Sequence, residues 1–287
     1  MRFTTLIDVE SLAARLSDPT WVVLDCRFEL GKPSAGEEAY RAGHIPGARY
    51  VHLDRDLAAP ISPVSGRHPL PAPDIFSARA GKWGIDATSQ VVVYDQGNSF
   101  FAARAWWVFR WLGHDAVAVL DGGLSAWQRA HHPLEQKEPE ASPKNFVARP
   151  NNEFVVDTPS VLQAVLAGDW VGGRQRLVDA RGADRYAGEN ETIDPVGGHV
   201  PGAINHHYAR NYRLDGCFQD VATLRSMWQS TLSGADPCNM TMMCGSGVSA
   251  CVNLLALEHA GLKGAKLYPG SWSEWVRDTS RPVAKGT

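Results

Sequence analysis

The strongest constraint on the fold of this chain is a repeat. GHIPGA at 43–48 returns as GHVPGA at 198–203, WVVLDCR at 21–27 as RLVDAR at 176–181, and LDGGLSAW at 120–127 as LYPGSWSEW at 267–275. The order is kept, and the offset drifts only from 155 residues between His44 and His199 to 148 between Trp127 and Trp275. A period this long marks a duplicated domain and not a solenoid. A length of 287 residues suits two cores better than one.

Each copy alternates short β-branched runs with amphipathic stretches, the pattern of βαβ units around a parallel sheet. In the first copy it predicts strands near 21–25, 47–52, 90–94 and 116–120, with helices near 8–17, 73–82, 100–112 and 122–130. In the second it predicts strands near 176–180, 202–205, 239–243 and 265–268, with helices near 158–167, 219–231, 249–260 and 270–277. HHPLEQKEPEASPKNFVARPNNEF between them lacks apolar periodicity, so the division is 1–135, a linker at 136–153, and 154–287. Asp25 and Asp179 each end a strand in the two copies, and this symmetry assigns them to holding the loop that follows.

Bulk properties exclude several function classes. A hydrophobic content of 44% with 21% charged residues is that of a folded globular protein. A net charge of −3 offers no broad positive field for nucleic acid or an anionic membrane, so neither is expected as a partner. MRFTTLIDVESLAARLSD does not read as a secretory signal, and no apolar run reaches membrane-spanning length. Five cysteines without a CxxC pair argue for reduced thiols and a cytoplasmic setting, so a special cysteine is to be sought for reactivity.

NMTMMCGSGVSACVNLLALEHAG, at 239–261, is the sharpest local signal: a strand, then Cys244 with Gly245, Ser246 and Gly247, then a helix. Two glycines let successive N–H groups turn inward into an anion-binding nest, and the helix dipole adds positive charge at the same point. Free cysteine, with a pKa of roughly 8.5, is about 3% ionised at neutral pH. A drop of ~2 units would raise ionisation more than twentyfold, while nucleophilicity would fall roughly tenfold. The net gain is small, so the loop is better explained as a cradle that orients a thiolate and holds a persulfide anion. Cys251, on the helix, reads as a core thiol. The equivalent of Cys244 in the first copy is Asp95, so only the second copy is nucleophilic.

The tandem GHxPGA motifs, a tryptophan signature closing each copy and a cysteine loop in the second alone resemble the two-domain rhodanese family over nearly the whole chain. Within it, CGSGV looks like the 3-mercaptopyruvate sulfurtransferase branch, since thiosulfate sulfurtransferases place basic residues after the cysteine. The resemblance implies an α/β fold of two tandem rhodanese-like domains, each a parallel sheet flanked by helices. It implies that Cys244 takes sulfur from a small-molecule donor as a persulfide and passes it to a small thiol, a thioredoxin-like protein or cyanide. No cofactor is expected, and no metal, since the adjacent pairs His131–His132 and His206–His207 lack ligand geometry and partner carboxylates.

The resemblance also assigns roles. Ser246 matches the family's loop serine and His44 its proton-transfer partner, although His199 fills the same slot in the other copy and a fold role explains both. Glu37 and Glu38 are candidates for an acid completing the relay. Arg185 matches the arginine that binds the donor's carboxylate or carbonyl oxygen, beside loop positions Gly245, Gly247 and Val248. Asp194 stands where the family has a second arginine, leaving Arg174, Arg176, Arg210 or Arg213 as compensating candidates. Two further readings remain: thiosulfate as the donor, and a non-enzymatic sulfur carrier or interaction module. A phosphatase loop of Cys-x5-Arg type is disfavoured by Ala250, which stands where the arginine would be.

Overall fold

Apolar runs without polar alternation form the centres of two all-parallel sheets, as expected of strands covered on both faces. The computed structural model describes residues 2–170 and 175–286. The first sheet contains β1 (Leu6–Ile7), β2 (Trp21–Asp25), β3 (Arg49–Tyr50), β4 (Gln90–Tyr94) and β5 (Val117–Leu120), in the order β1-β5-β4-β2-β3. The second contains β6 (Arg176–Asp179), β7 (Ile204–Asn205), β8 (Met240–Met243) and β9 (Lys266–Leu267), in the order β7-β6-β8-β9. The place of β1 is taken in the second sheet by a single parallel bridge, Val155 to Leu267. The two sheets therefore share one topology, and the repeat in the sequence is a repeat in the fold.

The helices Pro73–Lys82, Phe100–Trp111, Thr158–Ala167 and Ala250–His259 lie where the periodicity predicts them. The predicted helix at 8–17 ends at Ala13, and Ala35–Ala42 and Ala183–Ala187 are helices that the pattern did not disclose. Both are short, and each presents only one tyrosine, Tyr40 or Tyr186, with a buried ring. One aromatic residue gives no period to detect.

The repeated motifs act as clasps. Arg27 grips the buried Asp25 (2.6 Å) and the Gly43 carbonyl (2.7 Å), and Arg181 grips Asp179 (2.6 Å) and the Gly198 carbonyl (2.7 Å). Each Asp-x-Arg thus ties a strand end to the glycine that opens GHxPGA. Next to that glycine, His44 stacks on Tyr40 at 4.0 Å and His199 on Tyr186 at 3.8 Å. Trp127 and Trp275, both fully buried, close their copies by donating to the carbonyls of Pro133 and Pro282.

The compact units do not follow one cut in the chain. The first comprises Met1–Ala59, Leu70–Asn151 and Arg213–Phe218, and the second Pro60–Pro69, Asn152–Tyr212 and Gln219–Thr287. Much of the segment read as a linker, 136–153, is docked on the first unit: the N–H groups of Lys144, Arg149 and Asn151 donate to Gly81, Leu112 and Trp111. Phe146 packs edge-on against Phe76 and Phe109. Among the described residues no helix is long and apolar enough to cross a membrane.

Candidate active site

Cys244 follows β8 directly, at the C-terminal edge where open parallel sheets place their ligands. Its backbone N–H donates to Ser271 Oγ (3.1 Å), and the carbonyls of Cys244 and Gly245 accept from the N–H groups of Trp272 (3.0 Å) and Ser273 (2.8 Å). In a trans peptide the N–H points opposite to the carbonyl that precedes it. The Gly245 and Ser246 N–H groups therefore point away from the 271–273 turn. Gly247 has φ +72, and a Cβ there would lie 2.6 Å from the Pro269 carbonyl oxygen, so only glycine fits.

The first unit displays what such a loop gathers. Asp95, after β4, is buried, and its carboxylate accepts from the N–H groups of Gly97 (3.0 Å), Ser99 (2.9 Å), Phe101 (3.1 Å) and Ala102 (3.3 Å). Burial nonetheless pushes its pKa up, against the effect of those hydrogen bonds. There the nest holds a carboxylate supplied by the chain itself; in the second unit a thiol stands at the equivalent point.

Ser246 is buried, and its hydroxyl meets Nδ1 of the buried His68 at 2.8 Å. His68 arrives on the segment Pro60–Pro69, part of the same compact unit. That segment is anchored by Gly66 N–H on Glu274 and Arg67 N–H on Ser273 Oγ (3.0 Å). A Cβ on Gly66 would lie 2.6 Å from the Gly270 carbonyl oxygen, so the approach requires glycine. The expected Ser246–His44 pair is thereby corrected to Ser246–His68. His44 is fully buried in the first unit, with its ring nitrogens on the carbonyls of Tyr40 (2.8 Å) and Lys137 (3.3 Å). Its counterpart His199 holds the Tyr186 carbonyl (2.9 Å), so the fold role accounts for both.

Arg185 lies beside the loop: its Nη1 and Nη2 are each 3.7 Å from where a Cβ on Gly245 would sit. Glu191 grips it through Nε (3.0 Å) and Nη2 (2.7 Å), and also reaches Arg181 (3.3 Å), whose guanidinium lies 4.8 Å over the Trp272 ring. Burial opposes ionisation of Glu191, but the Arg185 hydrogen bonds and the N–H groups of Asp194 and Ile193 prevail and hold its carboxyl below the usual range. Burial likewise opposes the charge on Arg181, and Asp179 and Glu191 outweigh it, so its pKa moves up. Val248 is buried at the start of the following helix, its carbonyl capping Cys251 N–H.

Asp194 joins Arg185 Nη2 at 3.2 Å and forms an ion pair with Arg67. Among the expected compensating arginines, Arg213 pairs with Asp215, Arg210 is exposed and Arg174 lies outside the described residues. Glu37 is bound to Arg41 and Arg55. Sequence reasoning missed Arg67, His68 and Glu191. Gly66-Arg67-His68 among prolines was the available signal, but it lies within the first copy's span and has no local periodicity.

Comparison with known proteins agrees with the repeated fold. The Rhodanese-like domain family model matches residues 8–130 and again 159–278. A Pseudomonas aeruginosa protein named "Probable 3-mercaptopyruvate sulfurtransferase" is 45% identical over 288 residues, covering 100% of both chains. Thiosulfate sulfurtransferase of Rattus norvegicus is 32% identical over 93% of this chain and 89% of its own length. The crystal structure of SseA from Escherichia coli, described with the rhodanese fold of 3-mercaptopyruvate sulfotransferases, superposes with a TM-score of 0.80 at 32% identity, covering 94% of this chain and 100% of that one. With two matched domains, one topology repeated and a cysteine loop in the second copy alone, this chain belongs to the two-domain rhodanese-like sulfurtransferase family.

Proposed function

We propose that the protein moves sulfur from 3-mercaptopyruvate through a persulfide on Cys244 to a thiol, a thioredoxin-like protein or cyanide. The observation that carries this reading is the Cys244 loop, whose first two carbonyls are held by Trp272 and Ser273 while Ser246, two residues on, meets His68. The Cys244 thiolate attacks the donor sulfur and the carbon–sulfur bond breaks. Its electron pair moves to the methylene carbon as an enolate stabilised by the adjacent carbonyl. The donor's thiol proton, relayed through Ser246 and His68, completes the methyl group of pyruvate and leaves Cys–S–S⁻. An acceptor thiolate or cyanide attacks the outer sulfur and returns the Cys244 thiolate, giving a persulfide or thiocyanate.

The Ser246 hydroxyl, hydrogen-bonded to His68, supplies the proton, and the loop N–H groups hold the persulfide anion. Arg185 takes the donor's carboxylate. A cytoplasmic setting, expected from five cysteines without a CxxC pair, belongs to the same reading.

Thiosulfate gives a direct contrast, because sulfite leaves as a stable anion and needs no proton. His68→Asn is expected to lower kcat with 3-mercaptopyruvate by about 10²-fold, the scale of one general acid, and to change the thiosulfate reaction far less. Steady-state rates of pyruvate and sulfite release measure both. Equal losses with the two donors would remove His68 from proton transfer, and a wild-type protein preferring thiosulfate would reverse the donor assignment.

A further inference from the structure

Asp194 stands in a position where the family pattern calls for a second arginine, yet the structure supplies a second guanidinium by another route. Arg67, on the segment Pro60–Pro69, pairs through Nη1 with Asp194, while its Nη2 is 3.0 Å from where a Cβ on Gly245 would sit. Arg185 gives Nη2 to the other oxygen of the same carboxylate (3.2 Å), and its Nη1 lies 3.7 Å from that same Cβ position. The two guanidiniums thus share one carboxylate, and both flank the residue next to Cys244. The Asp194 side chain is only 3% exposed, against 21% for each arginine. The carboxylate is therefore the inner member, and the arginines reach toward the solvent side.

Two cations this close repel, and a shared anion offsets that repulsion. Asp194 is too buried to be a surface charge, and it leaves one Nη of each arginine directed at the loop. A single carboxylate has two oxygens and is matched by two such N–H donors. Glu191, already bidentate on Arg185, fixes the second guanidinium from behind.

We propose that Arg67 and Arg185 together form the clamp for the donor's carboxylate, with Asp194 as the positioning residue that holds them side by side; this deepens the reading of 3-mercaptopyruvate as donor and rests on it. This chain has Asp194 where the family's second arginine would fall, and the second cation of the clamp comes instead from Arg67, on a different segment. The clamp selects 2-oxo acids bearing a carboxylate next to the carbonyl. It gains nothing from a donor in which that carboxylate is replaced by a methyl group.

The test compares 3-mercaptopyruvate with 1-mercaptopropan-2-one, which keeps the thiol, methylene and carbonyl and lacks only the carboxylate. Arg67→Ala is expected to raise KM for 3-mercaptopyruvate about tenfold or more, the scale of one charge-assisted contact, with kcat little changed. KM for 1-mercaptopropan-2-one should stay within about twofold. The exchanged pair Arg67→Asp with Asp194→Arg should recover most of the lost affinity, while Arg67→Asp alone should not. Recovery in the double variant also establishes that the single variant's loss is not misfolding. Equal KM changes for both donors, or no recovery by the exchange, would overturn the clamp. No turnover of 3-mercaptopyruvate by the wild-type protein would overturn the donor reading itself, and the clamp with it.

Discussion

Replacing Cys244 with serine is expected to reduce sulfur transfer to the level of the uncatalysed reaction with every donor, while the circular dichroism spectrum stays that of the wild type. The chemistry requires a sulfur–sulfur bond, and an oxygen atom at this position cannot carry the transferred atom. The loop itself is held by backbone contacts, Cys244 N–H on Ser271 and two carbonyls on Trp272 and Ser273, none of which involves the thiol. Cys251→Ser is the matched control. Its Sγ lies in the core and donates to the Gly247 carbonyl at 3.4 Å; serine can keep that bond, but it exchanges a packed sulfur for a smaller, more polar oxygen and so costs stability, about 1 kcal/mol. Sulfur transfer should persist in the folded fraction. Retention of full activity by the Cys244 variant, or its loss in the Cys251 variant at temperatures where that variant is folded, would contradict the assignment.

The second large effect concerns the clasp beneath the site. Asp179→Ala leaves the Arg181 guanidinium, 1% exposed at its side chain, without its nearest carboxylate. Removing one partner of a buried ion pair costs about 3–5 kcal/mol, since the remaining charge is desolvated without compensation. Arg181 also contacts Glu191, which grips Arg185, so loss of the clasp should loosen the arginine proposed to bind the donor as well as the fold. The expected result is a large fall in the urea midpoint for the second unit, accompanied by a raised KM. A change below about 1 kcal/mol, the scale of an exposed pair, would mean that the repeated Asp-x-Arg motif does not hold the loop.

The contrast between His44 and His68 explains what the amino-acid sequence could and could not disclose. The duplication, the parallel strands and the cysteine loop are written in local pattern: β-branched runs of four or five residues, and glycines on either side of a serine. Arg185 follows from the family resemblance of DARGADRYAG, a motif near its own strand. The partner of Ser246 does not, because it lies 178 residues away on a segment that packs with the second unit although it falls within the first copy. The same holds for Arg67 and Asp194, 127 residues apart. His44 attracted attention because GHxPGA is conspicuous, yet its presence in both copies is the mark of a fold requirement: each histidine stacks on a tyrosine and holds that tyrosine's carbonyl. A residue serving a chemistry that only one copy performs should break the repeat, as Cys244 does against Asp95.

Asp95 also gives physical weight to the cradle. Its carboxylate collects four backbone N–H groups from the loop and the helix that follows. The loop shape therefore concentrates donors around a single anionic point. In the proposed mechanism the loop of the second unit first orients the Cys244 thiolate and then holds the terminal sulfur of the persulfide, which explains why a nest that would gain little rate by ionising the thiol remains useful.

The most direct measurement is mass spectrometry of the protein after one equivalent of 3-mercaptopyruvate, with no acceptor present, followed by proteolysis under non-reducing conditions. The account requires the peptide bearing Cys244 to gain the mass of one sulfur atom in step with pyruvate release, and to lose it when an acceptor thiol is added. Pyruvate released in full with that peptide unmodified, or with the sulfur on Cys251 instead, would contradict it.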